Sequence, residues 1–335
     1  MSDLASAAAA LVGPGKGILA ANESIGTVAA RLVAAGVAPT GANRCAYREM
    51  LVTTPGLATG ISGVVLGGET FGQRLRDGRL FPAALADLGM MAGVRVDVGA
   101  RPLAGTRGET ITEGLDGLAP RLREFAGLGA RFALWRAVLR IGAGSPSPLA
   151  VRANAHALGR FTSACQDTGL VALVEPAVLT DGSRSLGQYE VVTSVVLLEV
   201  MNSLQDYEAD FTGVVFRLTM APPDGAPATP GEVAESTIGT LGGLPTALAG
   251  VAFSSGGQHP QRATGNLAAM QHALSLWPLT FAFGRGLTGP ALAGWRGEPG
   301  RARAGQRALA RRVSMNVAAV EGRYTAALER DLLPA

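Results

Sequence analysis

Asn22-Glu23-Ser24, Glu69, Asp97, Arg136, Glu175, Arg217, Ser255-Gly256-Gly257-Gln258 and Gly284-Arg285 each lie in or just after a short apolar run. Carboxylates such as Asp97 and Glu175 can carry protons, and guanidinium groups such as Arg136 and Arg217 can hold anions or developing negative charge. The Ser-Gly-Gly-Gln segment and the Gly-Arg pair add further polar and cationic groups to the same set. A charge buried without a partner costs several kcal/mol. A set of such groups at strand ends is therefore the mark of a solvated, ligand-binding mouth.

The apolar runs that must position these groups recur along the chain. Strands are expected at residues 17–21, 61–66, 93–97, 132–139, 171–175, 212–217, 250–254 and 279–283. The runs are continuously apolar rather than alternating, as in parallel strands buried on both faces. Helical periodicity fills the intervals at 28–35, 115–128, 150–167, 191–204, 230–240 and 261–276, and a helical segment covers about 301–330. Ser147 before Pro148 and Thr229 before Pro230 suit helix starts. Eight strands alternating with helices predict an α/β fold, a single (β/α)8 barrel over residues 1–335. An open doubly wound sheet is the alternative, but no G-x-G-x-x-G follows the first strand. The Gly13-Pro14-Gly15-Lys16-Gly17 segment precedes a strand and lacks Walker spacing, so it is a turn.

Hydrophobic residues at 47% and charged residues at 16% exclude a disordered chain. The net charge of +3 comes from scattered arginines, with no basic run interleaved with aromatics, which argues against nucleic-acid binding. Of 29 basic residues only Lys16 is a lysine, a bias that suits a GC-rich coding sequence. Cys45 and Cys165 stand alone, and His156, His259 and His272 lack ligand spacing, so no metal is expected. No leader-like start and no run of ~20 apolar residues is found, and the expected location is the cytoplasm, away from membranes.

Several ungapped motifs in order carry a family resemblance. They are Pro14-Gly15-Lys16-Gly17-Ile18-Leu19-Ala20-Ala21-Asn22-Glu23-Ser24, Pro102-Leu103-Ala104-Gly105-Thr106, Gly108-Glu109-Thr110, and Gly114-Leu115-Asp116-Gly117-Leu118. Trp135-Arg136, Val174-Glu175-Pro176, Ser255-Gly256-Gly257-Gln258, Gly284-Arg285 and Gly322-Arg323-Tyr324-Thr325 complete the set. In these the chain resembles the class I fructose-bisphosphate aldolases, whose fold is the barrel already expected. The resemblance implies that Ser255, Gly256, Gly257, Gly284 and Arg285 hold the phosphate nearest the reacting carbonyl. It implies a second phosphate site of which Ser24, Arg31 and Arg95 remain, while Thr27 replaces a Ser and Ala30 a cation. It further implies metal-independent chemistry without a cofactor, and a homo-oligomer, tetramer or dimer.

The departures fall at catalytic positions. The family's imine-forming lysine is replaced by Arg217, and a second lysine, before the Trp-Arg pair, by Leu134. A catalytic aspartate is replaced by Asn22, and the second acid of a Glu-Pro-Glu by Ala177, while Glu175, the proton shuttle of imine formation, is kept. A guanidinium stays protonated and forms no productive imine. These losses predict a repurposed enzyme for a small anionic substrate, a sugar phosphate or a keto acid. It would act as a lyase or isomerase without a Schiff base, through Glu175, Arg217, Asn22, Arg136 and Asp97. A non-catalytic sugar-phosphate binder stands beside that expectation, and an ordinary aldolase is the third.

Overall fold

A computed structural model describes residues 3–180, 185–221 and 228–330. The chain opens with helix α1 (Asp3–Leu11), strand β1 (Gly17–Ala21), α2 (Ile25–Ala34) and α3 (Gly41–Val52). Next come β2 (Ile61–Gly67), the single turn α4 (Gly68–Phe71), α5 (Phe81–Asp87) and β3 (Met91–Arg95). An excursion follows, the antiparallel pair β4 (Gly99–Pro102) and β5 (Thr110–Glu113). The chain then runs through α6 (Leu118–Gly127), β6 (Ala130–Arg140), α7 (Pro148–Gln166), β7 (Val171–Leu179) and α8 (Leu186–Asp206). It ends with β8 (Val214–Thr219), α9 (Pro230–Gly239), β9 (Gly250–Ser254), α10 (Pro260–Met270), β10 (Leu279–Phe283), α11 (Arg285–Trp295) and α12 (Ala302–Val320).

Eight parallel strands close into a barrel in the order β1-β10-β9-β8-β7-β6-β3-β2, and the β1–β10 pairing rules out the open sheet. Ser147 and Thr229 do cap α7 and α9, the latter in a capping box with Glu232. Most boundaries move by a few residues: the strand expected over 212–217 is Val214–Thr219, and that over 171–175 extends to Leu179. The third strand starts at Met91, because Met91 and Ala92 pair with Gly63 and Val64, so Asp97 lies two residues past its end. The helix expected over 261–276 stops at Met270, and the final segment is α12 followed by a 3-10 turn, Ala326–Glu329.

Side chains alternate along a strand, so every second residue points into the barrel. Ile18, Val65, Leu134, Leu173, Val215, Ala252 and Ala282 form one inner cluster, with Leu11, Val12 and Phe132 beneath them. The residues two steps on, at the C-terminal rim, include Arg136, Glu175, Arg217, Ser254 and Gly284. Parity alone thus lifts a charged layer onto an apolar plug. The larger cluster, with Trp135, Phe161, Phe216 and Phe283, fills the space between strands and helices.

Candidate active site

The charged row runs from Arg95 and Asp97, at and just past the end of β3, to Arg217 on β8. Register places Arg136 beside Glu175 across β6–β7, and Val174 beside Phe216 across β7–β8, which brings Arg217 next to Glu175. The Arg136 Nε donates to Glu175 Oε1 at 2.9 Å, and Arg217 Nη1 donates to Glu175 Oε2. Arg217 also donates to the carbonyl of Ala282, through Nη2 at 2.9 Å and Nε at 3.2 Å. The Glu175 side chain is 3% exposed, a depth at which a carboxylate requires both of these cations.

Asp97 extends the row. Its carboxylate accepts from Arg95 Nε at 2.8 Å, from the Arg136 N–H at 3.1 Å and from the Gly99 N–H at 3.1 Å. Burial is the largest influence on Arg95 and works against its charge, but the bond to Asp97 together with the attraction of the Asp97 and Glu175 carboxylates outweighs it and holds its pKa above the ordinary value. Asp97 therefore ties β3 to β6 and is fully covered itself. Leu134 belongs to the apolar plug directly below this layer.

On one side of the row is a turn between β9 and α10. Gly256 and Gly257 have φ of +59° and +85°, a region open to glycine at little cost. A Cβ on Gly257 would come within 2.9 Å of the Arg285 guanidinium, so the missing side chain is what lets Arg285 approach. Ser255, almost buried, faces Gly286 just after Arg285. Gly284 lies against the Ala20 carbonyl. Among the described residues Arg285 has no ion-pair or hydrogen-bond partner. A free guanidinium over a glycine turn can hold an anion.

On the other side is a cavity of about 240 Å³ at the ends of β1, β2 and β3, lined by Asn22, Glu23, Ser24, Arg44, Arg48, Glu69, Arg95 and Asp97. Ser24 caps α2, accepting from the Thr27 N–H at 3.2 Å. Arg44 Nε donates to Glu69 at 2.9 Å, and this bond holds the Glu69 carboxyl below its ordinary range. Arg31 is placed elsewhere. It pairs with Glu23, reaches Thr288 Oγ1 at 3.1 Å, and lines a hollow between α2 and α11. Glu23 also accepts from Arg48 at 2.6 Å. Arg44 and Arg48 line this cavity although they were not expected to; their four-residue spacing on α3 was the available signal. The described residues include no group of three or more His, Cys, Asp or Glu placed to hold a metal ion, and no helix long and apolar enough to cross a membrane.

Residues 3–332 match the family described as fructose-bisphosphate aldolase class-I. A cytosolic fructose-bisphosphate aldolase 5 of Arabidopsis thaliana is 42% identical over 323 residues, 95% of this chain and 90% of that one. Fructose-bisphosphate aldolase B of Gallus gallus is 40% identical over 328 residues, covering 96% and 90%. The crystal structure of a fructose-bisphosphate aldolase from Plasmodium falciparum, in complex with TRAP and a small-molecule inhibitor, superposes with a TM-score of 0.94 at 37% identity, covering 96% and 95%. These relatives correct the functional expectation. Identities of 40% and 42% across nearly the whole chain, all to proteins named as fructose-bisphosphate aldolases, support ordinary aldolase function, and the repurposed enzyme and the non-catalytic binder are set aside.

Proposed function

Since this chain belongs to the class I fructose-bisphosphate aldolase family, we propose that it catalyses reversible aldol cleavage of fructose 1,6-bisphosphate. The observation that carries the reading is the unpartnered Arg285 over the Gly256–Gly257 turn, beside the row Arg136–Glu175–Arg217. The phosphate nearest the carbonyl rests on Ser255, Gly256, Gly257, Gly284 and Arg285. The far phosphate reaches the cavity lined by Ser24 and Arg95, with Arg44 and Arg48 as further cations. Arg31 supports that end through the Glu23 it shares with Arg48.

Cleavage takes the proton from the C4 hydroxyl and breaks the C3–C4 bond. The C4 fragment leaves as an aldehyde, and the electron pair passes to the C2 oxygen as an enediolate. A proton then returns to C3, so one hexose bisphosphate gives two triose phosphates with no redox change. The charge on the C2 oxygen needs a stabiliser. A lysine amine would serve as an imine, but the sole lysine, Lys16, precedes β1 at the opposite end of the barrel. Arg217 and Arg136 take the role as fixed-charge donors aimed at the oxyanion. Glu175 orients both, and transfers the proton once the oxyanion draws one arginine from it. Asn22, in the cavity wall, orients the sugar hydroxyls, and Asp97 holds Arg95 and β6 in place.

The test is a coupled assay of fructose 1,6-bisphosphate cleavage, with a parallel sample reduced by borohydride and weighed by mass spectrometry. Wild-type protein is expected to cleave without a trapped adduct, and Arg217→Ala and Glu175→Gln to lose about 100-fold or more in kcat. A wild type inactive in both cleavage and condensation overturns the function. A trapped adduct on active wild type overturns the imine-free route alone.

A further inference from the structure

Far along the chain from the charged row, α12 turns an arginine inward. Arg312 is 5% exposed, and a guanidinium does not shed its proton to suit such a place. Its counter-charge comes from the end of the described chain. Both oxygens of Glu329, the last residue of the Ala326–Glu329 turn, accept from Arg312 Nη1, at 2.6 and 2.7 Å. The two side chains are 7% and 9% exposed, so this ion pair is largely shielded from solvent. Tyr324 Oη donates to Glu329 Oε1 at 3.1 Å, and its own proton is held with a pKa raised to about 12, by burial first and then by Glu329.

The other arm of Arg312 points toward the phosphate turn. Nη2 donates to the carbonyl of Pro260 at 3.2 Å and to Oγ1 of Thr264 at 2.5 Å. Pro260 opens α10, and the chain enters it directly from Ser255-Gly256-Gly257-Gln258. Gln258 is tied to the same helix, accepting from Asn266 Nδ2 at 2.7 Å. The downstream anchor of the phosphate turn is thus the start of α10. That start is fastened to α12 by a buried cation that Glu329 neutralises.

We propose that Glu329 is a positioning residue for the phosphate turn, acting through Arg312 on the first turn of α10. It does not touch substrate. The inference rests on the reading that residues 255–257 hold a phosphate. Without the Glu329 charge, Arg312 is left buried and uncompensated, turns toward solvent, and releases Pro260 and Thr264. The phosphate turn then loses its fixed geometry, while the row Arg136–Glu175–Arg217, carried on β6, β7 and β8, is untouched.

In Glu329→Gln the KM for fructose 1,6-bisphosphate is expected to rise ~10-fold with kcat within ~2-fold, as for an interaction made equally before and during reaction. Glu329→Asp restores most of the loss. The deciding experiment needs no turnover: titration of inorganic phosphate followed by phosphorus NMR line width, with amide hydrogen exchange of residues 255–264, on wild type, Glu329→Gln, Glu329→Asp and Arg285→Ala. Weaker phosphate binding and faster exchange in Glu329→Gln, both rescued in Glu329→Asp, are expected. If Arg285→Ala loses phosphate but Glu329→Gln binds and exchanges as wild type, the positioning role is overturned. If wild type and Arg285→Ala are alike toward phosphate, the phosphate reading has failed, and exchange in Glu329→Gln still decides whether the clamp holds the turn. Should Glu329→Gln not fold, Arg312→Met/Glu329→Leu replaces the pair with apolar bulk. It removes the Pro260 contact as well, so wild-type phosphate affinity in that variant would equally overturn the proposal.

Discussion

Arg217 is the residue on which the proposed chemistry turns. Its guanidinium spans Glu175 on one side and the Ala282 carbonyl on the other, so both ends of the fork are used before a substrate arrives. A lysine at this position would not hold both partners in the same fixed fork, because its ammonium is a compact charge on a flexible stem. Arg217→Lys therefore leaves a less restrained amine in the charged layer, near the Glu175 carboxylate that could shuttle its proton. Substrate-dependent borohydride trapping is expected in this variant and not in wild type, with the mass increment on the peptide containing residue 217. An Arg217→Lys protein that is folded and binds phosphate but traps nothing would show that Leu134 and Asn22 have also removed what imine formation needs. The role of Asp97 could not be read from its neighbours in sequence. It joins β3 to β6 by accepting a backbone N–H from Arg136, a contact that depends on where two strands stop.

At the scale of the element, what was legible followed the strength of the local signal. The first, ninth and tenth strands have the residue limits expected of them, because each is a mainly apolar run bounded by Gly, Pro or a polar group. The hairpin of β4 and β5 was not legible: β4 is largely exposed and the pairing is local to one loop. Neither was α11, where Gly286, Gly289, Pro290 and Gly294 dilute the helical pattern and tertiary contact with α12 supplies the missing stability. Glycines inside strands carried a message that only the closed barrel reveals. Gly93 pairs in register with Phe132, and a Cβ on Gly93 would fall 2.2 Å from the Phe132 ring. Gly17 makes the same allowance for Phe281. Gly93→Ala is expected to cost about 1–3 kcal/mol through overpacking, visible as a lower urea midpoint with unchanged slope. A neutral result would mean that the ring has room to move, and that the inner layer is looser than its burial implies.

For the whole molecule, the barrel separates stability from chemistry along its axis. The C-terminal rim carries every charged group of the proposed reaction, while the opposite end is closed by α1, whose Leu11, with the following Val12, enters the inner cluster beside Ile18, Val65 and Phe132. Leu11 is fully buried, and its carbonyl accepts from Ser62 Oγ at 2.6 Å, which fixes the helix against β2. The apolar plug between the two ends is one residue layer above another, so a defect below reaches the rim only if strands shift as a body. Leu11→Ala removes a side chain from a site that Gly63 and Phe132 cannot readily collapse to fill, and a loss of about 2–5 kcal/mol in unfolding free energy is expected. The KM for fructose 1,6-bisphosphate in the same variant should stay within about 2-fold of wild type at a temperature where it remains folded. A rise in KM that tracks the loss of stability would mean that the rim is tuned by packing at the far end, and that the axial separation of roles does not hold in this barrel.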